Sequence, residues 1–180
     1  MEDPKLPKLF PKAELRPKKS NWGKGKTRYT MEDSLMYFNS HYGTSICLDE
    51  ESIDLTGVTK GIGYYLARDI SRIKFPNCTK LLITIPLVQV KELKPRMPNL
   101  TYFGLIGSGI GRFYLCYHFF KTLEELDLTG NDISKADSLM GVKNLPNLKT
   151  LQLSGNPICY NNEEKKKLEE SLNKVNILYN

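Results

Sequence analysis

The sequence predicts an α/β solenoid: about five irregular repeats laid side by side as a short parallel sheet, closed by a C-terminal capping helix and preceded by an extended basic arm. Three observations predict it. Leu123-Glu124-Glu125-Leu126-Asp127-Leu128-Thr129-Gly130-Asn131-Asp132-Ile133 lines up, 25 residues on, with Leu148-Lys149-Thr150-Leu151-Gln152-Leu153-Ser154-Gly155-Asn156-Pro157-Ile158. Looser copies begin near residues 50, 78 and 100. The excess charge of the chain is confined to residues 1–30. Both clear copies read L-x-x-L-x-L-x-x-N-x-I. The L-x-L core is a short strand with both leucines inward, and the Asn amide can bond free backbone groups where the chain turns away. One unit cannot bury its apolar face alone, so neighbours must stack.

In chain order, residues 1–30 are rich in Pro and Lys and too poor in apolar side chains to build a core, so they form the arm. Residues 31–49 form an N-terminal cap, with a helical turn or more from Met31 to Phe38 covering the open first end of the sheet. Residues 50–180 form the repeat domain. Its first strand is Ser52-Ile53-Asp54-Leu55-Thr56, followed by a run from Gly61 to Ile73 in which Ile62, Tyr65, Leu66, Ile70 and Ile73 fall near helical spacing. The second repeat begins at an inward Cys78, uses Leu81 and Ile83, and has Pro86 in the asparagine slot. Pro86 and Pro95 make its connector irregular. The third uses Leu100, Phe103, Leu105 and Ile110, with Ser108 in that slot. After Ile158 the pattern stops. Asn161 and the acids after it suit the start of a helix over 161–175, with Leu168, Leu172 and Val175 on one face. This is the cap that repeat arrays require.

Over roughly residues 50–180 the chain resembles the intracellular leucine-rich-repeat family. The two C-terminal copies and the close through Gly155-Asn156-Pro157-Ile158 into a helix are similar to its small, capped horseshoe members. The resemblance implies protein recognition on a concave face.

Charge and cysteines narrow the function class. Residues 1–30 hold nine basic and three acidic residues, and the remaining 17 of each sign leave the repeat body neutral. Cys47, Cys78, Cys116 and Cys159 show no CxxC pairing and no clustering with histidine, as in a reduced, intracellular chain. The start of the chain lacks the apolar run of a signal peptide, and no run approaches the roughly 18 apolar residues of a membrane span. Without secretion, the acceptor-like Asn77-Cys78-Thr79 and Asn99-Leu100-Thr101 carry no meaning.

Catalytic motifs fail on inspection. Gly25-Lys26-Thr27 ends like a phosphate-binding loop, but the first glycine of that pattern falls at Ser20, behind no buried strand. In Gly107-Ser108-Gly109-Ile110-Gly111 the last glycine of a dinucleotide fingerprint falls at Arg112. Cys116 and His118 sit in an aromatic connector, His41 has no evident partner, and no set of residues has zinc-ligand spacing. The chain is therefore read as no enzyme, with no catalytic residue, metal or cofactor.

Strand alternation names the outward residues. They run Ser52, Asp54, Thr56; Lys80, Leu82, Thr84; Tyr102, Gly104, Ile106; Glu125, Asp127, Thr129; and Thr150, Gln152, Ser154. The partner-binding candidates are Asp54, Lys80, Leu82, Thr84, Tyr102, Gly104, Ile106, Glu125, Asp127 and Gln152. Leu82, Tyr102 and Ile106 make an apolar centre, Glu125 and Asp127 a solvated acidic neighbour, and Gly104 a place for close approach. On the arm, Lys12, Arg16, Lys18, Lys19, Trp22, Lys24, Lys26 and Arg28 suit a phosphate backbone or an acidic protein surface. The sequence thus reads as a non-enzymatic protein–protein interaction adaptor or structural subunit of a larger assembly. Its partners are proteins, with RNA or another anionic surface reached through the arm and no membrane. The rivals are a nucleic-acid-binding protein acting through the arm, in a ribonucleoprotein or ribosomal setting, and a regulatory or inhibitory repeat protein. The expected compartment is intracellular and cytoplasmic, with nuclear, cytoskeletal and mitochondrial settings open.

Overall fold

The computed structural model describes residues 30–58, 65–85, 93–113 and 120–180. Six short strands form one parallel sheet in chain order: β1 Ser52–Leu55, β2 Lys80–Ile83, β3 Tyr102–Leu105, β4 Glu125–Asp127, β5 Thr150–Gln152 and β6 Asn176–Leu178. One backbone device recurs at the starts of β2 to β5. The Glu51 carbonyl accepts from the amides of Thr79 (2.9 Å) and Lys80 (3.1 Å), Thr79 accepts from Thr101 and Tyr102, Thr101 from Glu124 and Glu125, and Glu124 from Lys149 and Thr150. Each carbonyl uses both lone pairs on the next repeat, which locks the register.

The inward residues of the strands are the core. Ile53, Leu55, Leu81, Ile83, Phe103, Leu105, Leu126, Leu128, Leu151 and Leu153 are all buried, each contributing about 1.5–3 kcal/mol through the apolar surface it removes from water. Cys78 is buried among them, and burial pushes its thiol up to about 11.

Where the chain leaves β4 and β5, buried asparagines join consecutive repeats. Asn131 donates to the carbonyls of Leu105 and Leu128 (both 2.8 Å) and accepts from the amides of Ser108 (3.0 Å) and Ile110 (3.2 Å). Asn156 donates to Leu128 and Leu153 and accepts from Ile133 (3.0 Å). Ser108, in the third repeat's asparagine slot, does part of this work: its hydroxyl accepts from Ile85 N (3.1 Å) and donates to the Ile106 carbonyl (3.3 Å). Pro86 lies outside the described residues. Gly130 and Gly155, one residue before each asparagine, have φ of 70° and 69°, where a side chain would be strained.

At the N-terminal end of the sheet, helix α1 spans Met31–Tyr42, with a capping box between Thr30 and Asp33 at its start. Phe38 and Tyr42 join the core, and the Tyr42 hydroxyl donates to Asp69 Oδ2 at 3.0 Å. Asp69 is nearly buried and also faces Arg72 (3.4 Å) and Arg68 (3.6 Å). The helical run expected from Gly61 to Ile73 is shorter: helix α2 covers Leu66–Ile70, residues 61–64 lie outside the described residues, and Ile73 is buried beyond the helix.

The C-terminal end corrects the expected helix over 161–175. Helix α3 spans Asn162–Ser171, capped by the Asn161 side chain, which accepts from the amides of Glu163 and Glu164. Leu168 and Leu172 are buried, and the Glu164 carboxylate accepts from Ala136 N at 2.8 Å, tying α3 to the 3-10 helix Ala136–Asn144. The chain then turns back into β6, a sixth strand the repeat pattern does not announce. Its Ile177, with Val175 and Tyr179 on either side, packs against the core.

Candidate binding surface

Parallel pairing arranges the outward side chains in rows across the sheet. One row runs Ser52, Lys80, Tyr102, Glu125, Thr150, Asn176; the next runs Asp54, Leu82, Gly104, Asp127, Gln152, Leu178. Thr56, Thr84, Ile106, Thr129 and Ser154 follow just beyond the strands and are half-buried. The structure therefore brings all ten candidate residues of the sheet onto one surface.

Tyr102 is its hub. Its hydroxyl donates to Asp127 Oδ2 on the neighbouring strand at 2.9 Å, while Lys80 Nζ on the other side lies 4.6 Å from the ring centroid. Burial, then the Asp127 hydrogen bond and charge, raise the phenol above its ordinary value. Asp127 Oδ1 accepts from Thr129 N at 2.9 Å. The same turn recurs in the first repeat, where Asp54 Oδ1 accepts from Thr56 N (2.9 Å) and Thr56 Oγ1 (2.7 Å).

Two expectations are corrected here. Asp127 is only 7% exposed rather than solvated, because both its oxygens are occupied by neighbouring groups. Gly104 is buried rather than open. A Cβ at that position would overlap Leu82 Cδ2 and come within 3.5 Å of Ile106, so these two side chains close over the glycine and form an apolar floor. Leu82, Tyr102 and Ile106 remain half-exposed, and Glu125 is exposed beside them. The outward strand positions carry three carboxylates, Asp54, Glu125 and Asp127, against one cation, Lys80.

Sequence reasoning missed Asn176 and Leu178, which extend the rows onto β6, and the Tyr102–Asp127 bond. The alternation of Val175, Ile177 and Tyr179 is the signal that could have found β6. Arm residues Lys12, Arg16, Lys18, Lys19, Trp22, Lys24, Lys26 and Arg28, and the pair Cys116 and His118, lie outside the described residues. Among the described residues no group of three or more His, Cys, Asp or Glu could hold a metal ion, and no helix is long and apolar enough to cross a membrane.

A parallel sheet built rung by rung, two of its rungs carrying the full L-x-x-L-x-L-x-x-N-x-I unit, with its outward side chains in register, defines an α/β repeat fold. Residues 121–163 match the family model described as Leucine Rich repeats (2 copies), so this part of the chain carries two leucine-rich repeats. Domains of this family generally mediate protein–protein interaction and are typically non-enzymatic. Comparison with curated proteins finds no match.

Proposed function

We propose that this protein is a non-enzymatic, intracellular adaptor or structural subunit whose sheet forms the concave side of a horseshoe and binds a protein partner. Residues 50–180 are the recognition body, residues 31–49 cover its first strand, and the basic arm, residues 1–30, anchors on an anionic surface of the same assembly. The carrying observation is the half-exposed centre of Leu82, Tyr102 and Ile106 with Asp127 and Glu125 beside it. An aromatic anchor held in one orientation within a polar surround is the anatomy of a protein-recognition patch, since little side-chain freedom remains to be lost on binding.

The test is affinity capture from native extract, with and without nuclease, by the whole chain and by Tyr102→Ala and Asp127→Lys variants. Loss of one defined partner by both variants, at unchanged folding, supports the reading. Retention of every partner by both ends it. A second reading, nucleic-acid binding through the arm, is favoured by the concentration of all the excess charge in residues 1–30. Nuclease-sensitive capture that deletion of residues 1–30 abolishes, with no protein retained, would establish that reading instead.

A further inference from the structure

The same sheet face has a chemistry that selects its occupant, and a matching segment lies in the chain itself. The face offers an apolar floor (Leu82 and Ile106 over Gly104) beside Asp127 and Glu125. Lys80, the single cation on the outward strand positions, is held against the Tyr102 ring. A complementary ligand carries an apolar side chain with positive charges close on either side. Within residues 1–30, Lys8-Leu9-Phe10-Pro11-Lys12 has this composition: two adjacent apolar residues, one aromatic, between two lysines. Pro11 is no obstacle. The outward face of a sheet presents side chains rather than backbone groups, so a segment lying across it has no ladder of N–H donors to supply.

Reach is not limiting. Twenty residues separate Phe10 from Thr30, where the described structure begins, and such a segment spans up to about 66–72 Å. Helix α1 is about 18 Å long at 1.5 Å per residue. Strand β4 lies three strand spacings from β1, roughly 14 Å. Tethering to the same chain gives a short segment an effective concentration on the order of millimolar, so even weak complementarity is enough to occupy the face.

We propose that, without a partner, the segment Lys8–Lys12 of the same molecule covers the sheet face, with Phe10 or Leu9 on Leu82 and Ile106 and the lysines facing the exposed carboxylate of Glu125. This rests on the reading of that face as a binding surface. It makes the arm a competitor that a partner must displace.

The test places a photoreactive benzoyl-phenylalanine at Phe10 of the full chain, irradiated at low protein concentration and mapped by mass spectrometry. The expected result is a cross-link within one chain to peptides carrying Leu82, Tyr102, Ile106 or Asp127. Its yield falls several-fold at high salt and in Lys8→Glu/Lys12→Glu, a change confined to the arm that leaves the repeat core intact. Cross-links only between two chains, cross-links only elsewhere on the body, or a yield indifferent to Lys8→Glu/Lys12→Glu would overturn the proposal. The partner capture with Tyr102→Ala separates the two failures. A partner lost by that variant while Phe10 never reaches the face leaves the binding surface standing and removes self-occupancy. A Phe10 cross-link to the face with every partner retained does the reverse.

Discussion

The Tyr102 hydroxyl donates to Asp127 Oδ2 at 2.9 Å, joining two residues 25 positions apart on adjacent strands. Asp127 is 7% exposed, so this bond replaces most of the hydration that its outer oxygen would otherwise have. Tyr102→Phe keeps the ring against Lys80 and leaves that oxygen without its donor. The expected cost is about 1–3 kcal/mol, the range for an unsatisfied buried acceptor. It should appear as a lower urea midpoint with an unchanged slope. Tyr37→Phe, on the exposed side of α1, should leave the midpoint where it is.

Alkali should weaken the fold from about pH 10 upward. Burial raises the phenols of Tyr42, Tyr102 and Tyr179 above the ordinary tyrosine value of about 10. The folded chain therefore holds these protons to higher pH than the unfolded chain does. Their contribution is complete below the unfolded value and is lost as pH rises toward the folded ones. Denaturant midpoints should be flat up to about pH 10 from this source and fall above it, with a shallower fall in Tyr102→Phe.

Asn131→Ala should be among the most damaging single changes in the body. It strands the amides of Ser108 and Ile110 and takes the amide donor from the Leu105 carbonyl, while the Leu128 carbonyl keeps its bond from Asn156. With about 1–3 kcal/mol for each buried group left unsatisfied and partial relief by water, a loss of roughly 3 kcal/mol or more follows. In a chain of this size that lowers Tm by roughly 6–12 °C, readable by calorimetry.

Gly104→Ala tests the apolar floor. The added methyl meets Leu82 at the end of a half-exposed side chain that can rotate away, so the cost should be modest, about 0.5–1.5 kcal/mol. Leu82→Ala removes the overlap. The double variant should therefore lose less stability than the sum of the two single ones, a coupling that a double-mutant cycle in urea measures.

Much of the architecture is legible in the sequence because each repeat carries its own instructions. Leu126, Leu128, Leu151 and Leu153 follow the strand period and all are buried. Asn131 and Asn156 occupy equivalent slots and make equivalent bonds, and even Ser108 fills part of that role from its position alone. Strand β6 is less legible. It has a neighbour on one side only, so it needs neither the second leucine nor the asparagine that a repeat inside the stack must provide.

The surface divides in the same way. Alternation along a strand determines which side chains point outward, since successive Cβ atoms leave opposite faces, and it named Tyr102, Leu82, Gly104 and Asp127. What those residues do to one another depends on parallel register between segments 22 to 25 residues apart. Only the assembled sheet sets Tyr102 against Asp127 and folds Leu82 over Gly104, because a contact across strands has no trace in the local order of the chain. The sequence by itself determined the repeat, its buried side and its exposed side; the tertiary structure decided which outward residues are covered by their neighbours and which stay open to solvent.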